Sequence, residues 1–134
     1  GEGSQRRRAE EIAAGCGVAE RVQFAGAASG DALVDLYAHA SAVIYVPFDE
    51  DYGYVTLEAV LSEKPVVTAR DSGGTLEFVR DGENGFVCDP DPASIGAAVA
   101  RLAADPDLAA RLGRAGRERA ARVTWDGVVE QLLG

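Results

Sequence analysis

The stretch Ala42-Val43-Ile44-Tyr45-Val46-Pro47-Phe48-Asp49-Glu50-Asp51-Tyr52-Gly53-Tyr54-Val55-Thr56-Leu57-Glu58-Ala59 reads as strand, loop and helix in succession. An apolar run over 42–47 ends at a proline, which cannot donate to a continuing ladder. The acidic loop that follows closes at Gly53, where a helical run begins. Glu50 therefore sits in the loop and Glu58 about one turn inside the helix. Both carboxylates fall at the carboxyl end of a strand, where open α/β sheets bind ligands. Between them the N–H groups of Gly53, Tyr54 and Val55 are the unpaired donors of a helix start, which attracts phosphate. A carboxylate accepts two hydrogen bonds side by side and so suits the adjacent hydroxyls of a ribose or hexose. Gly53 lets the backbone approach a phosphate without a side chain in the way. The spacing fits a nucleotide sugar.

Outward from this stretch the elements alternate. A helix over 5–14, capped by Ser4 and ended near Gly15, precedes a strand over 21–25. Leu33, Leu36, Tyr37 and Ala40 recur at helical spacing over 31–40, and the apolar run 42–47 follows. Then come a helix over 54–62, a buried strand over 65–69, a short helix over 75–80 and a last strand over 85–89. This is βα alternation with parallel strands. The composition changes after Pro90. Asp91-Pro92 and Asp105-Pro106 each put a capping carboxylate before a proline at the first helical position, and Thr124-Trp125 opens a third helix to Leu133, giving a helical tail over 91–134.

From Arg21 onward the chain resembles the carboxyl-terminal, donor-binding half of retaining GT-B glycosyltransferases of family 4. The resemblance is carried, in the family's order, by Arg21-Val22-Gln23-Phe24-Ala25-Gly26, by Leu36-Tyr37 with Ala40, and by the glutamate pair. Lys64-Pro65-Val66-Val67, Ser72-Gly73-Gly74-Thr75-Leu76-Glu77 and Asp81-Gly82-Glu83-Asn84-Gly85-Phe86-Val87 complete it. It implies a Rossmann-like, doubly wound parallel sheet and transfer of a glycosyl unit from a nucleoside diphosphate sugar to a hydroxyl acceptor, with retention and without a bound metal or other cofactor. Glu50 would contact hydroxyls of the donor sugar as the catalytic position, and Glu58 would hold the ribose. The backbone of Tyr52, Gly53, Tyr54 and Val55 would lie against sugar and diphosphate. Asp51 and Lys64 stand where the family usually has glycine, and Asp51 adds a negative charge near the proposed diphosphate.

The resemblance also implies one incomplete domain over 1–134, without the first two strands of the sheet and without the acceptor-binding half. The gap beside the strand over 42–47 would be filled by upstream polypeptide or a second copy. The family's arginine and lysine, which neutralise the departing diphosphate, would lie outside this sequence. One helix end supplies about 0.3–1 kcal/mol, up to ~2 when partly buried, against a catalytic requirement of at least ~8 kcal/mol. The chain alone is therefore expected to be inactive. The absence of methionine agrees with a stretch from a longer reading frame, and the alanine and arginine content suggests a bacterial source.

Other function classes are weaker. With 22 Asp and Glu against 13 Lys and Arg, the chain lacks the positive charge that binds nucleic acid. No apolar run reaches the ~20 residues needed to span a bilayer, so a cytoplasmic location, at most peripheral to the inner face of the membrane, is expected. The six arginines between 101 and 122 read as a solvated helix face. Cys16 and Cys88 read as buried or half-buried free thiols, His39 as a surface or packed histidine, and Trp125 as a packing anchor. Ser72-Gly73-Gly74-Thr75 reads as a tight turn, Glu77 as a structural cap, and the segment from Asp81 to Gly85 as a turn into the last strand. The alternatives to a transferase are a nucleotide-sugar epimerase or phosphorylase of the same architecture, and a non-catalytic module that binds nucleotide or protein.

Overall fold

A computed structural model describes residues 3–122 of the chain. They fall into two compact units, divided between Leu36 and Tyr37. The expected helix from Thr124 to Leu133, with Trp125, lies outside the described residues.

The first unit holds helix α1 (Arg6–Gly15), a 3-10 turn (Ala19–Arg21) and most of helix α2 (Asp31–His39). The start of α1 corrects the expectation of a Ser4 cap. Gln5 occupies the cap position and no side chain bonds there; Arg6 N–H instead donates to the Gly3 carbonyl at 3.1 Å. At the other end the chain turns at Gly17, whose φ of 68° is left-handed, with its N–H donating to Ala14 O at 3.0 Å and Val18 N–H to Ala13 O at 3.0 Å. Cys16 is exposed, against the expected burial, because this end of α1 lies on the surface. The segment over 21–25 also departs from expectation: it forms no ladder among the described residues, although Val22 is extended. Extended residues become a strand only when a neighbour accepts and donates their backbone hydrogen bonds.

The second unit is a parallel α/β layer. Strands β1 (Val43–Ile44), β2 (Val66–Ala69) and β3 (Gly85–Cys88) lie in the order β1-β2-β3. Val43 pairs with Val66 and, across the next ladder, Val66 with Gly85. Helices α3 (Tyr54–Leu61) and α4 (Thr75–Phe78) connect successive strands, and α5 (Pro92–Ala104) and α6 (Pro106–Ala120) follow. All of β2 is buried, as a strand covered on both faces must be. Its alternation feeds two cores. Val66 packs with Ala59, Val60 and Val79, and Val67 with Phe86, Leu102, Leu108 and Leu112. The Asp-Pro caps form as the sequence requires: Asp91 accepts from Ala93 N–H and Ser94 N–H, each at 2.9 Å, and Asp105 from Leu108 N–H at 2.9 Å.

Strand β1 is shorter than the apolar run. Pairing stops after Tyr45 N–H donates to Val67 O at 3.0 Å, and the chain then swings into the acidic loop. It meets the end of β2 again further on, where Asp49 N–H donates to Asp71 O at 2.9 Å and Glu50 bridges Gly73 in parallel fashion. That second meeting fixes the backbone beneath the first glutamate.

Candidate functional site

The acidic loop is held by two glycines as well as by hydrogen bonds. Gly74 N–H donates to Glu50 O at 2.6 Å. A Cβ on Gly73, where φ is 63°, would stand 2.5 Å from Glu50 O and 2.7 Å from Glu50 N. A Cβ on Gly74 would collide with the Asp51 carbonyl. The glycine pair is therefore more than a tight turn, because it lets two backbones touch. The signal in the sequence was the glycine pair soon after a strand that is apolar but for Thr68.

Glu50, half-buried, accepts on Oε2 a hydrogen bond from the Tyr45 hydroxyl at 2.9 Å. Burial first, and then the bond to Glu50 and its charge, push the Tyr45 hydroxyl above its ordinary pKa. Glu58 is exposed on α3 and accepts on Oε2 from the Tyr37 hydroxyl at 2.9 Å. Tyr37 is pushed up to about 12 by burial, with the hydrogen bond and charge of Glu58 adding to it. Neither tyrosine stands out in the sequence as a partner of a glutamate. Tyr45 sits inside an apolar run and Tyr37 on an apolar helix face, so both read as packing residues.

Between the carboxylates, Gly53 takes the N-cap position of α3 in the left-handed conformation, with φ 67° and ψ 57° and no side-chain cap. The first N–H groups of α3, at Tyr54 and Val55, are those a helix leaves unpaired. The structure gives a different reason for glycine here than phosphate access. A Cβ on Gly53 would lie 2.8 Å from Thr75 Oγ1, 3.4 Å from the Tyr45 ring and 3.5 Å from Thr56 Oγ1, all inside the protein. The hydroxyls of Thr56 and Thr75 are buried and find no hydrogen-bond partner among the described residues, and the same holds for Thr68.

Tyr52 packs against Tyr54 (ring centroids 5.0 Å apart) and edge-on to Phe78 at 5.8 Å. Tyr54 and Phe48 are mostly exposed, Val55 is half-buried, and Asp51 is exposed. A cavity of about 490 Å³ is lined by Tyr52, Val60, Glu77, Phe78, Gly116 and Arg119, among others. Neither glutamate lines it. The two carboxylates and the start of α3 form an open face, and its chemistry is hydrogen-bond acceptance at two points around a row of donors. Among the described residues no three His, Cys, Asp or Glu side chains converge as metal ligands do, and no helix is long and apolar enough to cross a membrane.

Elsewhere the turn reading of the segment from Asp81 to Gly85 holds. Gly82 N–H donates to Gly85 O at 2.9 Å, and buried Asn84 ties the turn to α4 by accepting from Arg80 N–H at 2.7 Å and donating to Phe78 O at 2.8 Å. His39 is exposed, and so is Glu77, in the first turn of α4.

A parallel α/β layer with a glycine-opened helix start flanked by two carboxylates defines a Rossmann-like α/β protein, and its structural neighbours are of the GT-B fold. The chain belongs to the family of glycosyl transferases group 1, whose pattern residues 1–119 match. It is 42% identical over 128 residues to D-inositol 3-phosphate glycosyltransferase of Acidothermus cellulolyticus, covering 95% of this chain and 28% of that protein. Among solved structures it resembles sucrose-phosphate synthase of Thermosynechococcus elongatus, with a TM-score of 0.84 and 31% identity over 97% of this chain and 33% of that one. It also resembles Anabaena HepE in complex with UDP and glucose, with a TM-score of 0.79 and 25% identity over 95% and 34% of the two chains. The chain thus spans about a third or less of each of these three proteins.

Proposed function

We propose that this chain is the donor-binding part of a retaining, family 4 glycosyltransferase that uses a nucleoside diphosphate sugar. Glu58 holds the ribose, Glu50 the donor-sugar hydroxyls, and the backbone of Tyr52, Gly53, Tyr54 and Val55 the sugar and diphosphate. The glycosyl unit passes to a hydroxyl acceptor held by an amino-terminal domain outside this sequence, with no metal ion and no cofactor. The proposed place of work is the cytoplasm, at most peripheral to the inner face of the membrane.

The observation that carries the reading is the pair of tyrosine-anchored carboxylates on either side of the α3 start. A nucleotide-sugar donor is further supported by the UDP and glucose held by the related HepE structure. Charge on the departing diphosphate needs stabilisation that one helix end does not provide, so cationic groups outside this chain complete the reaction.

The test is a thermal-shift panel with UDP-, GDP- and ADP-sugars. Near 100 times the dissociation constant, binding adds about 2.7 kcal/mol. One nucleotide should stand out and Glu58→Ala should remove its shift. Equal shifts in the unaltered and Glu58→Ala chains would refute the assignment.

A further inference from the structure

Each carboxylate of the pair is held by one tyrosine hydroxyl, and among the described residues no ion pair reaches either glutamate. We infer that Tyr45 and Tyr37 are positioning residues: each hydroxyl fixes one oxygen of its glutamate and reserves the other for a substrate hydroxyl. The inference rests on the donor-site reading above.

The geometry at Tyr45 is over-determined. Its backbone is the last to join the β1 ladder, through the bond to Val67 O. Its ring packs against the cluster of Ala59, Val60, Val66 and Val79. On another side the ring meets Gly53, where a Cβ would stand 3.4 Å from it. The ring cannot swing away, so its hydroxyl has a fixed place. The Glu50 backbone is fixed separately, by Gly74 N–H and the bridge to Gly73. What remains free in Glu50 is its side-chain torsions, and the hydroxyl bond to Oε2 stops them.

The chemistry of the clamp follows from its donor. An arginine would engage both carboxylate oxygens and offset their charge. A tyrosine offers one neutral donor. Oε1 of Glu50 and Oε1 of Glu58 therefore keep their lone pairs for hydroxyl donors on a ligand. Burial and the neighbouring carboxylates keep both tyrosines protonated, so the clamps persist well into alkaline solution. The two clamps come from different elements, Tyr45 from the end of β1 and Tyr37 from α2. They should therefore act on different parts of the ligand.

The experiment uses Tyr45→Phe, Tyr37→Phe, Glu50→Ala and Glu58→Ala, with the two matched double variants. Each is measured by thermal melting without ligand and by titration with one nucleotide pair: UDP and UDP-glucose, GDP and GDP-mannose, or ADP and ADP-glucose, whichever binds the unaltered chain. Tyr45→Phe is expected to spare the free diphosphate and shift the ratio of the two dissociation constants about tenfold against the sugar nucleotide. Tyr37→Phe is expected to weaken both ligands by a similar factor. Each effect should vanish once the partner glutamate is alanine, which leaves the hydroxyl no acceptor. A Tyr45→Phe chain that loses both ligands equally, or whose loss adds to that of Glu50→Ala, overturns the proposal. So do melting losses that simply add in the double variants, whatever the ligand does. Failure of the unaltered chain to bind any of the six compounds would instead overturn the donor-site reading, and the melting data would still decide whether the clamps exist.

Discussion

The two units contain similar sequence signals and very different interiors. In the first, α1 is amphipathic and the segment over 21–25 alternates toward extended structure, yet among its described residues only Ala13 is buried. In the second, β2 carries a continuous rather than an alternating pattern, is buried throughout and becomes the centre of two cores. The difference is partners. Val66 and Val67 have a strand on each side and a core cluster on either face, whereas residues 21–25 have no ladder among the described residues. Local pattern proposes an element, and neighbours decide whether it exists.

The largest effect that would test this contrast is at Leu112, which is 0% exposed. Leu112→Ala should cost about 2–5 kcal/mol in denaturant unfolding, while Val22→Ala, at a residue 40% exposed, should stay within about 0.5 kcal/mol. Equal losses would break the comparison.

Next comes a pair of left-handed glycines. Gly53→Ala combines backbone strain with overpacking against Thr75 and should cost about 1–3 kcal/mol beyond the strain alone. Gly17→Ala has the same strain, with φ 68°, but nothing within 4 Å of the added carbon, and should cost about 1–2 kcal/mol. A Gly17 substitution that proves the costlier would show that the first unit is packed more tightly than its exposed surface indicates.

Helix caps should matter less. Asp105→Ala should remove about 1 kcal/mol. Asp91 is held below the ordinary carboxylate range by the Ser94 hydroxyl, and by the N–H groups of Ser94 and Ala93. Since its folded pKa is lowered, its contribution is present above the ordinary aspartate value of about 3.9. It is lost as pH falls through the lowered value. Asp91→Asn should therefore flatten the acid limb of the melting curve. An unchanged limb would assign acid sensitivity to other carboxylates.

The smallest effect belongs to the surface ion pair Arg117–Glu63, at 2.9 Å with both side chains about half exposed. Arg117→Ala should change stability by less than about 1 kcal/mol, and less still at high salt. The contact that matters between α6 and the end of α3 is Gly113 against the Glu63 carbonyl, where no Cβ fits. A larger loss at Arg117 than at Gly113→Ala would reverse that order.

Much of the fold was legible because its signals are local. Asp91-Pro92 and Asp105-Pro106 start α5 and α6 at the expected residues, since a proline fixes its own torsion and a carboxylate reaches the next N–H groups without help. Gly53 opens α3 for a comparable reason. The Ser4 cap failed because a backbone turn from Gly3 took the N–H first. The expected strand over 21–25 failed because pairing is not local.

The candidate site divides the same way. The sequence by itself determined where the two carboxylates fall, because a strand, a loop and a glycine-opened helix place Glu50 and Glu58 on either side of a helix start through short-range geometry. Only the tertiary structure decided what holds them. Tyr37 and Tyr45 reach their glutamates from other elements, and Gly73 and Gly74 admit the Glu50 backbone across a gap in sequence. Such contacts depend on the register of strands and the packing of helices, which no single stretch of residues encodes.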